Sequence, residues 1–140
     1  MFTNKKIIVV LIVAFVLLLT ACGSQGNSTE VKITLTDFGM DASRTSFEVG
    51  VPYHFVVTNN GAINHEMMIM PPMMGGDMGM TMKEMDEMAL AMIEADELTP
   101  GATVSFDYTF TEPVPAGSLE FSCHVEGHYE AGMKLPITVK

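Results

Sequence analysis

Apolar and polar residues alternate in short runs along most of this chain, and that period of two confines those runs to half-buried β-strands. In Val31–Asp37, Val31, Ile33 and Leu35 share one face. Thr45–Val49 is a second short strand, ended by Gly50. Pro52–Thr58 is a third, with Tyr53, Phe55 and Val57 aligned. His65–Met70 is a fourth, after the strong Asn59-Asn60-Gly61 turn. Ala102–Phe110 sets Val104, Phe106, Tyr108 and Phe110 against Thr103, Ser105, Asp107 and Thr109. Ser118–His124 aligns Leu119, Phe121 and Cys123, and Lys134–Lys140 aligns Leu135, Ile137 and Val139. Phe38–Asp41 and Pro113–Gly117 read as turns. About seven short strands with turn signals between them predict an all-β fold, an antiparallel Greek-key β-sandwich.

One segment breaks the pattern. Pro71-Pro72 stops the fourth strand, and residues 71–101 read as an insertion. Within it Met78, Met82, Met85, Met88, Ala89, Met92 and Ile93 recur at three- and four-residue spacing. That predicts an amphipathic helix over Met80–Glu97 with a Met-lined stripe, closed by Thr99-Pro100-Gly101.

The N-terminus carries an export signature. Lys5 and Lys6 precede an unbroken apolar run, Ile7–Leu19, too short for a bilayer span of about 20 residues but suited to a secretory leader. Leu19-Thr20-Ala21-Cys22 then resembles a bacterial lipobox. Residues 1–21 are therefore expected to be a lipoprotein signal peptide, with Cys22 as the lipidated N-terminus and 22–30 as a Gly/Ser/Asn-rich tether. Residues 31–140 are the expected domain, placed outside the cytoplasm at a membrane surface. Removing Lys5 and Lys6 takes the net charge from −10 to −12. Such an acidic chain is not expected to bind nucleic acid and suits a basic protein or a cation. The only other cysteine is Cys123. With Cys22 lipidated it has no disulfide partner in the chain, and a metal is a natural occupant for a lone thiol in an oxidising compartment.

Cys123-His-Val-Glu-Gly-His128-Tyr-Glu-Ala-Gly-Met133 supplies that chemistry. The spacing C-x4-H-x4-M puts a thiolate, an imidazole and a thioether on one loop, with Gly127 and Gly132 for the tight turns. His65, at a strand start after a turn, can add a second imidazole. Two histidines, a cysteine and a weak thioether suit one copper ion in electron transfer, because Cu(I) favours soft sulfur and Cu(II) favours nitrogen. Zinc prefers four strong ligands and no thioether.

These residues resemble those of the cupredoxins, the small blue copper proteins related to plastocyanin, azurin, rusticyanin and auracyanin. The likeness runs over Val31–Lys140 and rests on Asn64-His65-Glu66 before one apolar strand and Cys123…His128…Met133 before the last. Gly127-His128 and Ala131-Gly132-Met133 fit the longer, rusticyanin-like form of the ligand loop. The resemblance implies a Greek-key sandwich and a type 1 copper held by His65, Cys123 and His128, with Met133 weakly axial. It also implies single-electron exchange with redox partner proteins. Many relatives carry Asn or Ser after the first histidine, where it braces the cysteine loop. Glu66 stands there here, so the bracing is expected from Asn64 or backbone groups. An ionised Glu66 is expected to favour Cu(II) and lower the reduction potential.

The other histidines are expected to lie outside the site. His124 follows Cys123 and so points the opposite way, which predicts a surface position. Multicopper oxidases use His-Cys-His to reach further copper ions, but Ser122 stands in the first position here. His54 reads as surface or packing. Most of the 14 methionines lie between Met67 and Met92. Three uses stay open: packing, a docking surface for a redox partner, and capture of Cu(I) by exposed thioethers. For capture, Met73, Met74, Met78, Met80 and Met82 are the candidates. The first expectation is a lipid-anchored, non-enzymatic one-electron carrier. The alternative is a copper chaperone or resistance protein that holds Cu(I).

Overall fold

A computed structural model describes residues 29–73 and 79–140. The expected signal peptide, Cys22, the expected tether up to residue 28, Met74 and Met78 lie outside the described residues. Among the described residues, nine strands and one helix follow in chain order: β1 Glu30–Thr36, β2 Gly39–Ala42, β3 Ser46–Phe47, β4 Pro52–Asn59, β5 Met67–Met70, α1 Met82–Met88, β6 Ala91–Ile93, β7 Thr103–Thr109, β8 Val114–Ser122 and β9 Lys134–Val139. They form a four-stranded sheet, β2-β1-β4-β7, and a five-stranded sheet, β3-β9-β8-β5-β6. The expected β-sandwich stands, with both sheets mixed rather than antiparallel: β1 runs parallel to β4, and β3 parallel to β9.

The alternation decides which side chains meet. Val31, Ile33 and Leu35 of β1 and Tyr53, Phe55 and Val57 of β4 are buried facing Phe121, Ile137 and Val139 of the other sheet. Each such burial contributes about 1.5–3 kcal/mol. Phe47 of the short β3 packs edge-on against Tyr53 at 5.0 Å and tilts on Phe110 at 5.0 Å, so a two-residue strand is held by its aromatic ring.

Three local expectations change. Gly39–Ala42 is not only a turn: it pairs with Ile33–Thr36 as a hairpin arm. Pro113–Gly117 is drawn into β8, with a register shift between Val114 and Leu119 and Gly117 at φ +82°; such a bulge lets a strand bend without leaving its sheet. The helix is much shorter than Met80–Glu97. It spans Met82–Met88 under a Thr81/Glu84 capping box, and Ala89 is already extended. Ala91–Ile93 then pairs with Met67–Ile69 as an edge strand. The ladder offered by β5 outweighs the weak local preference of a three-residue segment for helix.

Candidate metal centre

Two loops at one end of the sandwich deliver the candidate ligands. The first runs from Asn59, which is buried. Its Nδ2 donates to the carbonyls of Ile63 and Leu98, each at 2.8 Å, while its Oδ1 accepts from Gly61 N–H at 2.8 Å. Asp37 Oδ1 accepts from Ala62 N–H at 2.6 Å, and His65 N–H donates to Leu98 carbonyl at 3.2 Å. A loop pinned at four points carries the His65 ring into the interior, where it is fully buried. Gly61 has no side chain because there is no room for one: a Cβ would meet Asp37 Oδ1 and come within 2.9 Å of His65 Nε2.

The second loop starts at the end of β8. Cys123 N–H donates to Met133 carbonyl, and Met133 N–H donates to His128 carbonyl, both at 3.0 Å. Between them His128 N–H donates to Val125 carbonyl, and Gly132 N–H to Tyr129 carbonyl. Gly127 at φ +81° and Gly132 at φ +101° take the left-handed conformations that these tight turns need. Cys123 and Met133 are both fully buried in the main core, and His128 is half-buried.

The three strong donors converge. His65 Nδ1 and His128 Nδ1 lie 3.2 Å apart, and Cys123 Sγ lies 3.4 Å from His128 Nδ1 and 3.9 Å from His65 Nδ1. A point equidistant from these atoms sits about 2 Å from each, matching bonds of about 2.0–2.3 Å from nitrogen and sulfur to a metal of this size. This is the one group of three or more His, Cys, Asp or Glu among the described residues that could hold an ion. Its electrostatics agree. Burial lowers the His65 pKa, helped by His128 and opposed by Asp37, so the ring stays neutral and its lone pair is available. Burial raises the Cys123 thiol, while N–H groups of Glu66 and Val125 directed at the sulfur partly offset the rise. The other nitrogen of the same ring, His65 Nε2, is buried without a hydrogen-bond partner, 4.0 Å from Asp37 Oδ1.

Two neighbours depart from expectation. The brace of the cysteine loop is Glu66 itself, through its carboxylate and, in line with the backbone groups expected there, through its own N–H. Its buried carboxylate accepts from His124 N–H at 2.7 Å while its own N–H donates to Cys123 Sγ at 3.5 Å. A carboxylate can make the same bond as an amide oxygen, a substitution that residue type alone hides. His124 does point away from Cys123, but it is not a surface residue. It is buried on the outer face of the five-stranded sheet, with Nε2 2.9 Å from Ser122 Oγ and its ring stacked on Tyr129 at 4.6 Å. His54 is exposed and pairs with Asp107 at 2.7 Å.

The methionines divide. Met67 joins the main core, whereas Met68, Met70 and Met85 form a second buried cluster with Met73, Met80, Ala89 and Met92 against it. Of the capture candidates, Met73 and Met80 reach this cluster, Met82 is exposed, and Met74 and Met78 lie outside the described residues.

Reduced auracyanin from Roseiflexus castenholzii superposes with a TM-score of 0.59 at 21% identity, over 82% of this chain and 99% of that one. Rusticyanin from Thiobacillus ferrooxidans superposes at 0.57 and 18%, over 79% and 76%. The chain therefore has the cupredoxin fold, and the His65–Cys123–His128 cluster at its loop end is a donor set that fits one copper. In sequence it is similar to the copper-resistant cuproprotein CopI of Rubrivivax gelatinosus, 30% identical over 111 residues that cover 79% of this chain and 66% of that protein. The protein of the same name from Pseudomonas aeruginosa is 24% identical, over 81% of this chain and 77% of its own length. No family model matches the chain.

Proposed function

We propose that this chain is a copper-resistance protein that works outside the cytoplasm, tethered by lipid at Cys22, and holds one copper through His65, Cys123 and His128, with Met133 as a weak axial ligand. The observation that carries the reading is the sequence likeness to two copper-resistant cuproproteins over about four-fifths of the chain. Copper bound there supplies one-electron chemistry. The residues do the rest. The Asn59 clamp fixes His65, the Glu66 carboxylate fixes the backbone after Cys123, and burial keeps water from the thiolate. A donor set held this firmly serves both oxidation states with little rearrangement. The net charge, −10 for the whole sequence and −12 once Lys5 and Lys6 are removed, favours approach of a cation.

A second reading is a one-electron carrier between membrane-associated proteins. The fold shared with auracyanin and rusticyanin favours it, as does the half-buried His128, which leaves one ligand near the surface. Deleting the gene and scoring growth in copper separates the two. Loss of tolerance, restored by the wild-type chain but not by Cys123→Ser, supports resistance. Unchanged tolerance with impaired respiratory or photosynthetic electron flow sinks it in favour of the carrier.

A further inference from the structure

Strand β5 faces two ways. Met67 and Ile69 enter the main core, and Met68 and Met70 turn outward beneath α1, where Met85 covers them. Six of the seven residues of this outer cluster are methionine. Counted the same way, the main core has twenty-eight residues and only three methionines, Met40, Met67 and the axial candidate Met133. Packing alone gives no reason for that contrast. Leucine fills nearly the same volume and loses less side-chain freedom on burial, and the chain uses leucine, isoleucine and phenylalanine freely elsewhere.

A second observation lies beside the cluster. Glu120 of β8 pairs with Met70 across the ladder, so the two side chains stand next to each other on the outer face. Glu120 is 3% exposed, and its Oε1 has no hydrogen-bond partner. Nearby, the Tyr129 hydroxyl accepts from Met73 N–H at 3.0 Å, and burial together with the neighbouring Glu120 pushes its pKa up to about 12, which places Met73, Tyr129 and Glu120 at one spot. A buried carboxylate oxygen with no donor costs free energy unless a cation answers it. Thioethers select soft, monovalent, d10 ions.

The geometry points to a second metal site on the outer face of the five-stranded sheet, specific for Cu(I), built from thioethers of the Met68, Met70 and Met85 cluster with Glu120 balancing the charge. Met73, Met80 and Met92, only partly buried, form its rim and give the ion a way in. The site is separate from the His65–Cys123–His128 centre, since Met68 and Met70 face away from the core that holds Cys123. It does not depend on the role proposed for that centre.

Anaerobic titration of the full-length chain with Cu(I), against a chromophoric Cu(I) chelator, tests it. The wild type is expected to hold two equivalents and Cys123→Ser one. Met68→Leu/Met70→Leu/Met85→Leu is expected to hold one and keep the intense visible band on loading with Cu(II), which shows that the sandwich and the first centre survive. Glu120→Gln is expected to weaken the second equivalent by about ten- to a hundredfold and leave the band unchanged. A wild type that stops at one equivalent overturns the site, as does a triple variant that still holds two. If the triple variant loses the band, Met73→Leu and Met80→Leu at the rim decide: unchanged affinity for the second equivalent in both overturns it. Copper tolerance is a separate readout, so failure of the resistance reading and failure of this site are distinguishable.

Discussion

Glu66 puts an ionisable carboxyl where a neutral brace is expected. Burial pushes its carboxyl pKa up, only partly offset by the bond from His124 N–H, and Asp86 and Glu94 add to the rise. A carboxyl whose folded pKa is raised stabilises the fold below its unfolded pKa, and that contribution is lost as pH rises through the folded value. Glu66→Gln keeps an oxygen for His124 N–H and removes the charge. At neutral pH the copper-free variant is therefore expected to melt at the same temperature as the wild type or above it. Its reduction potential is expected to rise by tens of millivolts, on a scale where about 59 mV is a tenfold change for one electron. Voltammetry checks this, and an unchanged or lower potential means that Glu66 carries no charge near the metal. Gly61→Ala tests the opposite kind of constraint. The added Cβ meets Asp37 Oδ1 and crowds His65 Nε2, so stability is expected to fall by about 1–3 kcal/mol with a displaced His65. Thermal unfolding and the paramagnetic spectrum of the Cu(II) form measure the two effects.

At the scale of elements, the sandwich strands were legible because alternation in β1, β4 and β7 is strict and long enough to fix which face is buried. The Met-rich segment was not. Met82 to Ile93 fits a helical period, yet the chain leaves the helix at Ala89 because β5 still has an open edge for Ala91–Ile93. The remaining seven-residue α1 is too short to stand alone and relies on its capping box and on Met85. Thr81 N–H donates to the Glu84 carboxylate at 2.7 Å, and Thr81 Oγ1 accepts from Glu84 N–H. Thr81→Ala is expected to cost about 1 kcal/mol, confined to α1. Hydrogen exchange should show faster exchange at Met85 to Ala89 with β4 and β8 unchanged. Global destabilisation instead would mean that α1 is integral to the main fold.

For the whole molecule, copper and folding are linked through protons. Burial raises the Cys123 thiol and lowers His65, so at neutral pH the site without metal is a protonated thiol beside a neutral ring. Binding must expel the thiol proton. Copper affinity is therefore expected to increase with pH until the raised thiol pKa is passed. The lowered His65 competes for protons only in acid, below the ordinary histidine range. Calorimetry in buffers of different ionisation enthalpy measures the proton released, and pH-independent affinity near neutrality refutes the linkage. Because the ion binds the folded chain, stripping it with a chelator is expected to lower the melting temperature. The loss is about 2.7 kcal/mol where free copper had stood at a hundred times its Kd.

The sequence by itself determined the sandwich class and singled out His65, Cys123 and His128 as candidate ligands, because period-two burial and ligand spacing are local properties that a single chain displays. Tertiary structure alone decided the role of Glu66, the burial of His124, the split of the methionines between two cores and the isolation of the Glu120 oxygen. Each of these depends on what a neighbouring strand sets against the residue. That is fixed by register across the sheets, over separations such as the 58 residues between Glu66 and His124, and no pattern along one segment records it.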